Sequence, residues 1–434
     1  QRGADRGHGP LTAHNRTGVV RGSLKPAGRL PKCRRGAAAR RAPCPLRFPG
    51  AGMHVVHLQH TPGRGWSTPL PQALDGPQTL VLAFGGSRLP PDAPALAELA
   101  AAFGQSVVLG CSTAGEIAGM QVNDDSLSVA VARFDHTRLA LAQAQVAESG
   151  QSGAAGADLA RQLRAGGEDL RAVFVLSDGL HVNGTPLVAA LAAGLGPGVA
   201  LSGGLAGDGS AFERTWVLAG GRPVDGCVVA VGLCGSRLVV GNGCQGGWMD
   251  FGPERCITRS QGNVLYELDG KPALDLNKSY LGELAQGLPG SALRFPLSIR
   301  RTGSDAPPLV RTILAIDEAQ RSLTFAGDMP EGHAARLMRT TNDSLIDSAA
   351  AASGQAVGGL AGAGAALVVS VSCVGRRLVL GERTEEEVEA VLETAPPGAV
   401  HVGFYSYGEI SPGAAGGASE LHNQTMTVTV FSEA

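Results

Sequence analysis

Two stretches of this sequence share one frame: GCSTAGEI at residues 110–117 and GFYSYGEI at residues 403–410. They align without a gap. Each follows a short apolar run, 107–109 in the first case and 400–402 in the second. Each also precedes an asparagine (Asn123, Asn423) and a segment of two-residue alternation, SLSVAV at 126–131 and TMTVTV at 425–430. Alternation of that period predicts a strand with one buried face. A glycine-acid loop set between strands, and repeated far apart in the chain, marks internal repetition.

Working outward from these loops, the same order of elements is found three times. TLVLAF at 79–84 ends in Gly85 and Gly86, and a helical stretch, 95–103, leads to the first loop. AVFVL at 172–176 ends in Ser177-Asp178-Gly179, Thr185-Pro186 opens a helix over 187–195, and 199–201 leads into SGGLAGD at 202–208. ALVVSV at 366–371 ends in Ser372-Cys373-Val374-Gly375. There Thr384-Glu385-Glu386-Glu387 has the form of a capping box for a helix to Glu393, ahead of GFYSYGEI. The fold class is therefore mixed α/β, with pseudo-repeated strand-helix-strand units and Gly-rich loops. Between the second and third copies, 224–265 reads as strands separated by glycine turns, 311–326 as a hairpin, and 349–364 as helix plus loop.

The chain has 434 residues, enough for sizeable cores. Of its 36 Lys and Arg, 12 lie in residues 1–52 beside a single acid, Asp5. The remaining 24 bases against 37 acids give residues 53–434 a formal charge of −13. An acidic body argues against a nucleic-acid partner. Residues 1–52 are expected to be a disordered or non-native basic leader ahead of Met53. Eight cysteines are scattered without CxxC spacing, so no zinc site is expected and a reducing, cytoplasmic setting is. No apolar run approaches the length of a membrane span.

Several side chains are candidates for ligand contact. Ser112, Thr113, Glu116, Asp208 and Glu409 lie in loops after strand ends, where open α/β sheets place ligands. The carboxylates can pair with a ligand ammonium group, or they can cap loop amides. Tyr405 and Tyr407, two apart, face one side of an extended segment and can stack on a ligand or pack inward. Asp178 and Asn183 flank a helix start, Arg376 can clamp a carboxylate, and His422 and Asn423 form a polar entry to a strand. His422 can also ligate haem or serve as a structural donor. His54, His57 and His60 have metal-like spacing, but on an extended segment they alternate sides. No catalytic triad or phosphate loop is evident, and no enzyme is expected.

At these motifs the sequence resembles the FIST sensory family. CSTAGEI (111–117), SDG (177–179), GGLAGDG (203–209) and GWMDFGP (247–253) are similar to its amino-terminal half. NVLYELDGKPALDL (263–276), FAGDMPEG (325–332), SCVGRRLVLG (372–381) and the stretch from YSYGEI to LHNQTMTV (405–428) are similar to its carboxy-terminal half. The resemblance spans 78–431. It implies two FIST-type halves, 53–262 and 263–434, and a stand-alone sensor for a small ligand such as an amino acid or similar metabolite. It also implies a signalling partner such as a histidine kinase or a cyclic-dinucleotide protein. A subset of the family implies an alternative, a haem-binding nitric-oxide sensor acting on a histidine kinase, and an unrecognised enzyme is a further one.

Overall fold

The strands Thr79–Gly86, Cys227–Cys234 and Ala366–Cys373 are buried at every position. Continuous apolar runs of this kind need cover on both faces, and the chain supplies it three times. The computed structural model describes residues 52–434 except 168, 305–307, 359, 361–364 and 414–416. The basic leader expected over 1–52 falls almost wholly outside the described residues.

The first repeat contains β1 (His54–Thr61), the two-residue β2 (Gly65–Trp66), β3 (Thr79–Gly86), α1 (Pro94–Ala102) and β4 (Val107–Thr113). A hairpin follows, β5 (Glu116–Ala118) and β6 (Gln121–Asn123), and then β7 (Leu127–Arg133). The second runs β8 (Arg138–Gln145), α2 (Ser152–Ala165), β9 (Leu170–Ser177), α3 (Gly184–Leu195), β10 (Ala200–Leu205), hairpin β11 (Val217–Ala219) and β12 (Arg222–Val224), and β13 (Cys227–Cys234).

The third opens with β14 (Leu238–Gln245) and is then interrupted. An inserted sheet follows: β15 (Met249–Gln261), β16 (Val264–Leu268), β17 (Lys271–Pro272), α4 (Ala273–Leu281), β18 (Leu297–Arg301), β19 (Leu309–Arg311), β20 (Ile313–Asp317), β21 (Ser322–Phe325) and β22 (His333–Arg339). The repeat resumes with α5 (Asn342–Val357), β23 (Ala366–Cys373), α6 (Val374–Leu380), α7 (Thr384–Thr394) and β24 (Val400–Ser406). It ends with hairpin β25 (Gly408–Pro412) and β26 (Ser419–His422), and β27 (Met426–Glu433).

Each repeat forms the same four-strand arrangement, β4-β3-β7-β1, β10-β9-β13-β8 and β24-β23-β27-β14, with a parallel first pair. The hairpins do not stay at home. β5–β6 joins β24, β25–β26 joins β10, and β11–β12 joins β4. Each repeat thus extends another repeat's sheet, and the exchange closes on itself after three.

Alternation of side chains along the strands then builds a shared centre. Leu80, Leu82 and Phe84 of β3, Ala172, Phe174 and Leu176 of β9, and Leu367, Val369 and Val371 of β23 all enter one core. Phe84 stacks on Phe404 at 4.8 Å, across two repeats. The opposite faces pack outward under the helices, with Val81 and Ala83 near α1, Val173 and Val175 near α2 and α3, and Val368 near α5.

Two devices recur in register. Gly110, Gly203 and Gly403 sit opposite Ala83, Val175 and Ser370 of the parallel neighbour. A Cβ there would lie 2.2, 1.9 and 2.0 Å from the facing carbonyl oxygen. A buried carboxylate also receives the backbone N–H just ahead of each last strand. Ser126 donates to Glu116 at 2.9 Å, Gly226 to Asp178 at 2.8 Å and Thr425 to Glu409 at 3.1 Å.

Some local signals resolve differently from their sequence reading. The cap of α3 is Asn183, whose Oδ1 accepts from Thr185 N at 3.1 Å, so Thr185 lies inside the helix. Thr384 makes no capping box. A 3-10 turn, Gly381–Arg383, runs straight into α7, and Glu387 turns inward to Arg376. The hairpin expected over 311–326 is β20–β21.

The inserted sheet has its own core, with Ile257, Leu265, Leu297 and Phe325 beneath α4. It is fastened to the ring of repeats by hydrogen bonds. Asn183 Nδ2 donates to Asp328 Oδ1 at 3.0 Å, Gln424 Nε2 to Leu293 O at 2.9 Å, and Arg311 Nη1 to Leu421 O at 3.1 Å.

Candidate functional site

The three glycine-acid loops converge and interlock. Ala114 N donates to Tyr405 O and Tyr405 N to Gly115 O, while Gly207 N donates to Ser112 O and Tyr407 N to Leu205 O. The side chains gathered here are engaged within the protein. Ser112 Oγ accepts from Trp216 N at 3.1 Å, and Thr113 donates to Glu116. Tyr405 and Tyr407 are buried, and each gives its hydroxyl to a carboxylate. Tyr405 donates to Glu387 at 2.7 Å and Tyr407 to Asp208. Burial pushes both phenols above their ordinary value. Asp208 also accepts the amides of Phe212, Glu213 and Arg214 at 2.7–2.9 Å. Asp178 holds Leu180 N and His181 N, each at 2.8 Å.

Arg376 is fully buried, with its Nε on Glu387 at 2.7 Å. Its neighbour Arg377 does clamp a carboxylate in two-pronged fashion, but that of this chain's own Asp124, at 2.8 Å on each prong. The same guanidinium beside Asp124 lowers that acid's pKa. A cleft of about 500 Å³ opens beside this pair, between Val122, Ser210, Leu378 and Glu385.

Glu116 and Glu409 are the carboxylates most altered by their setting. Burial raises Glu116 to about 7 and Glu409 to about 8, against the hydrogen bonds each accepts. Desolvation outweighs three donors in Glu409: Ser406 Oγ, Thr425 N and Thr425 Oγ1. Cys111 and Cys373 are buried, and their thiols are pushed up by the same cause.

A larger cleft, about 550 Å³, lies where the inserted sheet meets hairpin β25–β26. One wall is β18–β19 with Arg300, Arg301, Leu309 and Arg311, and a second is the turn carrying Asp328 and Pro330. The third comes from the ring, with Ala418, Glu420, His422 and Asn423. Of the residues singled out from sequence, His422 and Asn423 line this cleft, and Asn183 reaches its edge through Asp328. Ser112, Thr113, Glu116, Asp178, Asp208, Arg376, Tyr405, Tyr407 and Glu409 are not among its lining residues.

Arg311 is the residue that sequence reasoning missed. It ends β19 opposite Leu297 and is only 3% exposed. Its Nε donates to Asp328 O at 3.3 Å, and its Nη1 to Val310 O at 3.2 Å and Leu421 O at 3.1 Å. Burial lowers its pKa to about 10. Gly327 makes the room, since a Cβ there would be 2.9 Å from Arg311 Nε. The one available signal was FAGDMPEG, which places Gly327 and Asp328 together in the motif. An arginine before the apolar run TILAI says nothing by itself about burial.

His422 places its Nε2 3.2 Å from Ser411 O, and burial lowers its pKa to about 4, so the ring is neutral near pH 7. The cleft does not fit haem: the nitrogen best placed on the ring is held by a carbonyl, and the walls carry Arg300, Arg301, Arg311, Asp328 and Glu420. Among the described residues no group of His, Cys, Asp and Glu could hold a metal ion. Nor is any helix among them long and apolar enough to cross a membrane.

No curated protein sequence matches this chain. Among solved structures it is similar to a cyanuric acid hydrolase from A. caulinodans, with 10% identity over 88% of this chain and 98% of that one, at a TM-score of 0.32. It is likewise similar to a chorismatase (10% identity, 88% and 99% covered, TM-score 0.32) and to a further cyanuric acid hydrolase (12%, 88% and 100%, 0.31). All three are enzymes, and the expectation that this chain is not an enzyme is corrected on that finding and withdrawn. Likenesses this distant carry no activity over to it. The family match is direct: the FIST N domain covers residues 79–271 and the FIST C domain 273–412. The chain belongs to the FIST family, whose domains are associated with sensing in signal transduction.

Proposed function

We propose that this protein senses a small ligand, an amino acid or a similar metabolite, in the cleft between the inserted sheet and hairpin β25–β26, and signals its occupancy to a partner protein. The supporting observation is that the cleft walls come from two bodies, the inserted sheet and the ring of repeats, which hydrogen bonds of Asn183, Arg311 and Gln424 tie together. A ligand touching both biases how they sit, and a partner reads that bias. A histidine kinase or a cyclic-dinucleotide protein is the partner class that the family resemblance suggests. The halves 53–262 and 263–434 are part of the same proposal, the second holding β18, β19 and β26.

Ala418, exposed on the cleft wall, provides the test. Ala418→Trp fills the cleft from the surface without touching either core. Thermal unfolding with a set of amino acids and related metabolites is expected to show a ligand-dependent rise in the wild type, because binding to the folded state stabilises it. The variant is expected to lose that rise. Equal shifts in both proteins would remove the cleft from the reading.

A further inference from the structure

Resting on that reading of the cleft, the chemistry of its ligand can be argued from two side chains. A guanidinium has five N–H donors. In Arg311 one is on Asp328 O, and Nη1 serves Val310 O and Leu421 O. Nη2 makes no hydrogen bond among the described residues, and Arg311 makes no ion pair there. Asp328 and Glu420 act on it only at a distance, and the Asp328 carboxylate is tied to Asn183. A buried cation held by carbonyls alone is costly unless a counter-charge arrives.

Asn423 is the second group. It is fully buried, lines the same cleft, and gives Nδ2 to Tyr407 O at 3.3 Å. Its Oδ1 is buried without a hydrogen-bond partner among the described residues. Such an acceptor is normally satisfied. At the rim stands Arg301, exposed and without an ion pair among the described residues. It lies four residues along β18 from Leu297, the partner of Arg311, or roughly 13 Å away at strand spacing. Glu420 lines the cleft as well, but with Asp328 tied to Asn183 the guanidiniums of Arg301 and Arg311, neither in an ion pair among the described residues, outweigh it and favour entry of anions.

We infer that the cleft binds a small organic anion, its charged oxygens seated on Arg311 Nη2 and an adjacent O–H or N–H donated to Asn423 Oδ1. Arg311 is the anchor, and Asn423 selects for the donor.

Calorimetric titration of the full chain with lactate, propionate, lactamide and inorganic phosphate tests this. Lactate carries both charge and donor, propionate lacks the donor, lactamide lacks the charge, and phosphate asks whether any oxyanion suffices. Lactate is expected to bind, propionate about tenfold more weakly for want of one hydrogen bond, and lactamide not at all. Propionate binding as tightly as lactate would overturn the selecting role of Asn423, and phosphate, which has both charge and an O–H donor, binding as tightly as lactate would overturn the organic class of the ligand.

Arg311→Gln keeps an amide donor for the carbonyls and is expected to abolish lactate binding. Arg311→Lys keeps the charge and is expected to retain part of it, and circular dichroism checks that both fold. Lactamide binding as well as lactate, undiminished lactate binding in folded Arg311→Gln, or no binding of any of the four compounds would overturn the anchor. A neutral metabolite that stabilises the wild type and Arg311→Gln alike, but not Ala418→Trp, would leave the sensing cleft standing and remove only the anion.

Discussion

Glu409 shows how far a single residue can depart from its surface expectation. From sequence it stood as an acid facing a ligand, or else as a cap for a loop. It holds Thr425 N and two hydroxyls with no exposed surface, and burial raises it to about 8 from an ordinary 4.5. A folded-state pKa above the unfolded one means that the folded protein binds the extra proton. The stabilisation is full below pH 4.5 and is lost as the pH rises towards 8. Denaturant unfolding of the wild type is expected to show stability falling across that window, and Glu409→Gln, locked in the protonated shape, a flatter profile. An unchanged slope in the variant would place the titration elsewhere.

The tyrosines of GFYSYGEI carry the same lesson. Their two-residue spacing was legible, but which carboxylate each would meet was not. Glu387 and Asp208 are supplied from elsewhere in the chain, and pattern along one segment does not report such pairs. Arg311 was illegible for a related reason. Its burial is decided by Gly327 and Leu421, which close around it only in three dimensions.

Among the elements, the parallel pairs β3–β4, β9–β10 and β23–β24 were readable because apolar runs, glycines and a helix recur in fixed order. The glycine of each pair was visible in the sequence, but its reason was not. Gly403 faces Ser370 so closely that a methyl group would meet the carbonyl oxygen at 2.0 Å. Backbone on both sides leaves nothing flexible to yield. Gly403→Ala is therefore expected to destabilise the protein by about 3 kcal/mol, read as a lower denaturant midpoint at constant slope. A loss below experimental error would mean that the strands separate more easily than their packing implies. The destination of the hairpins was not readable at all. Glu116–Ala118 resembles the end of its own repeat, yet it pairs with β24, because edge pairing is settled by which open strand lies nearest after folding.

For the molecule as a whole, the repeats share one core while each completes another's sheet. Division into independently folding halves is therefore unfavourable. A fragment of residues 53–262 would keep two repeats but lose β25–β26 from the edge of β10. It would also expose the face of the central core that β23, β24 and β27 cover. It is expected to aggregate or to unfold without a sharp transition, where the full chain unfolds cooperatively, as seen by size-exclusion chromatography and thermal circular dichroism. A monomeric fragment with a steep transition would show that the centre is less shared than its packing suggests.

The exchange of hairpins has a consequence for symmetry. Each edge contact is head-to-tail, the kind of interface that generates rings when its rotation closes, and here it closes after three steps within one polypeptide. A single repeat carries both a donated hairpin and an accepting edge, so three separate copies of one would have the pieces to form a cyclic trimer. The covalent version gains what such a trimer lacks, the freedom to differ at one vertex. The inserted sheet occupies one repeat of the three, so a threefold scaffold presents its larger cleft once per chain.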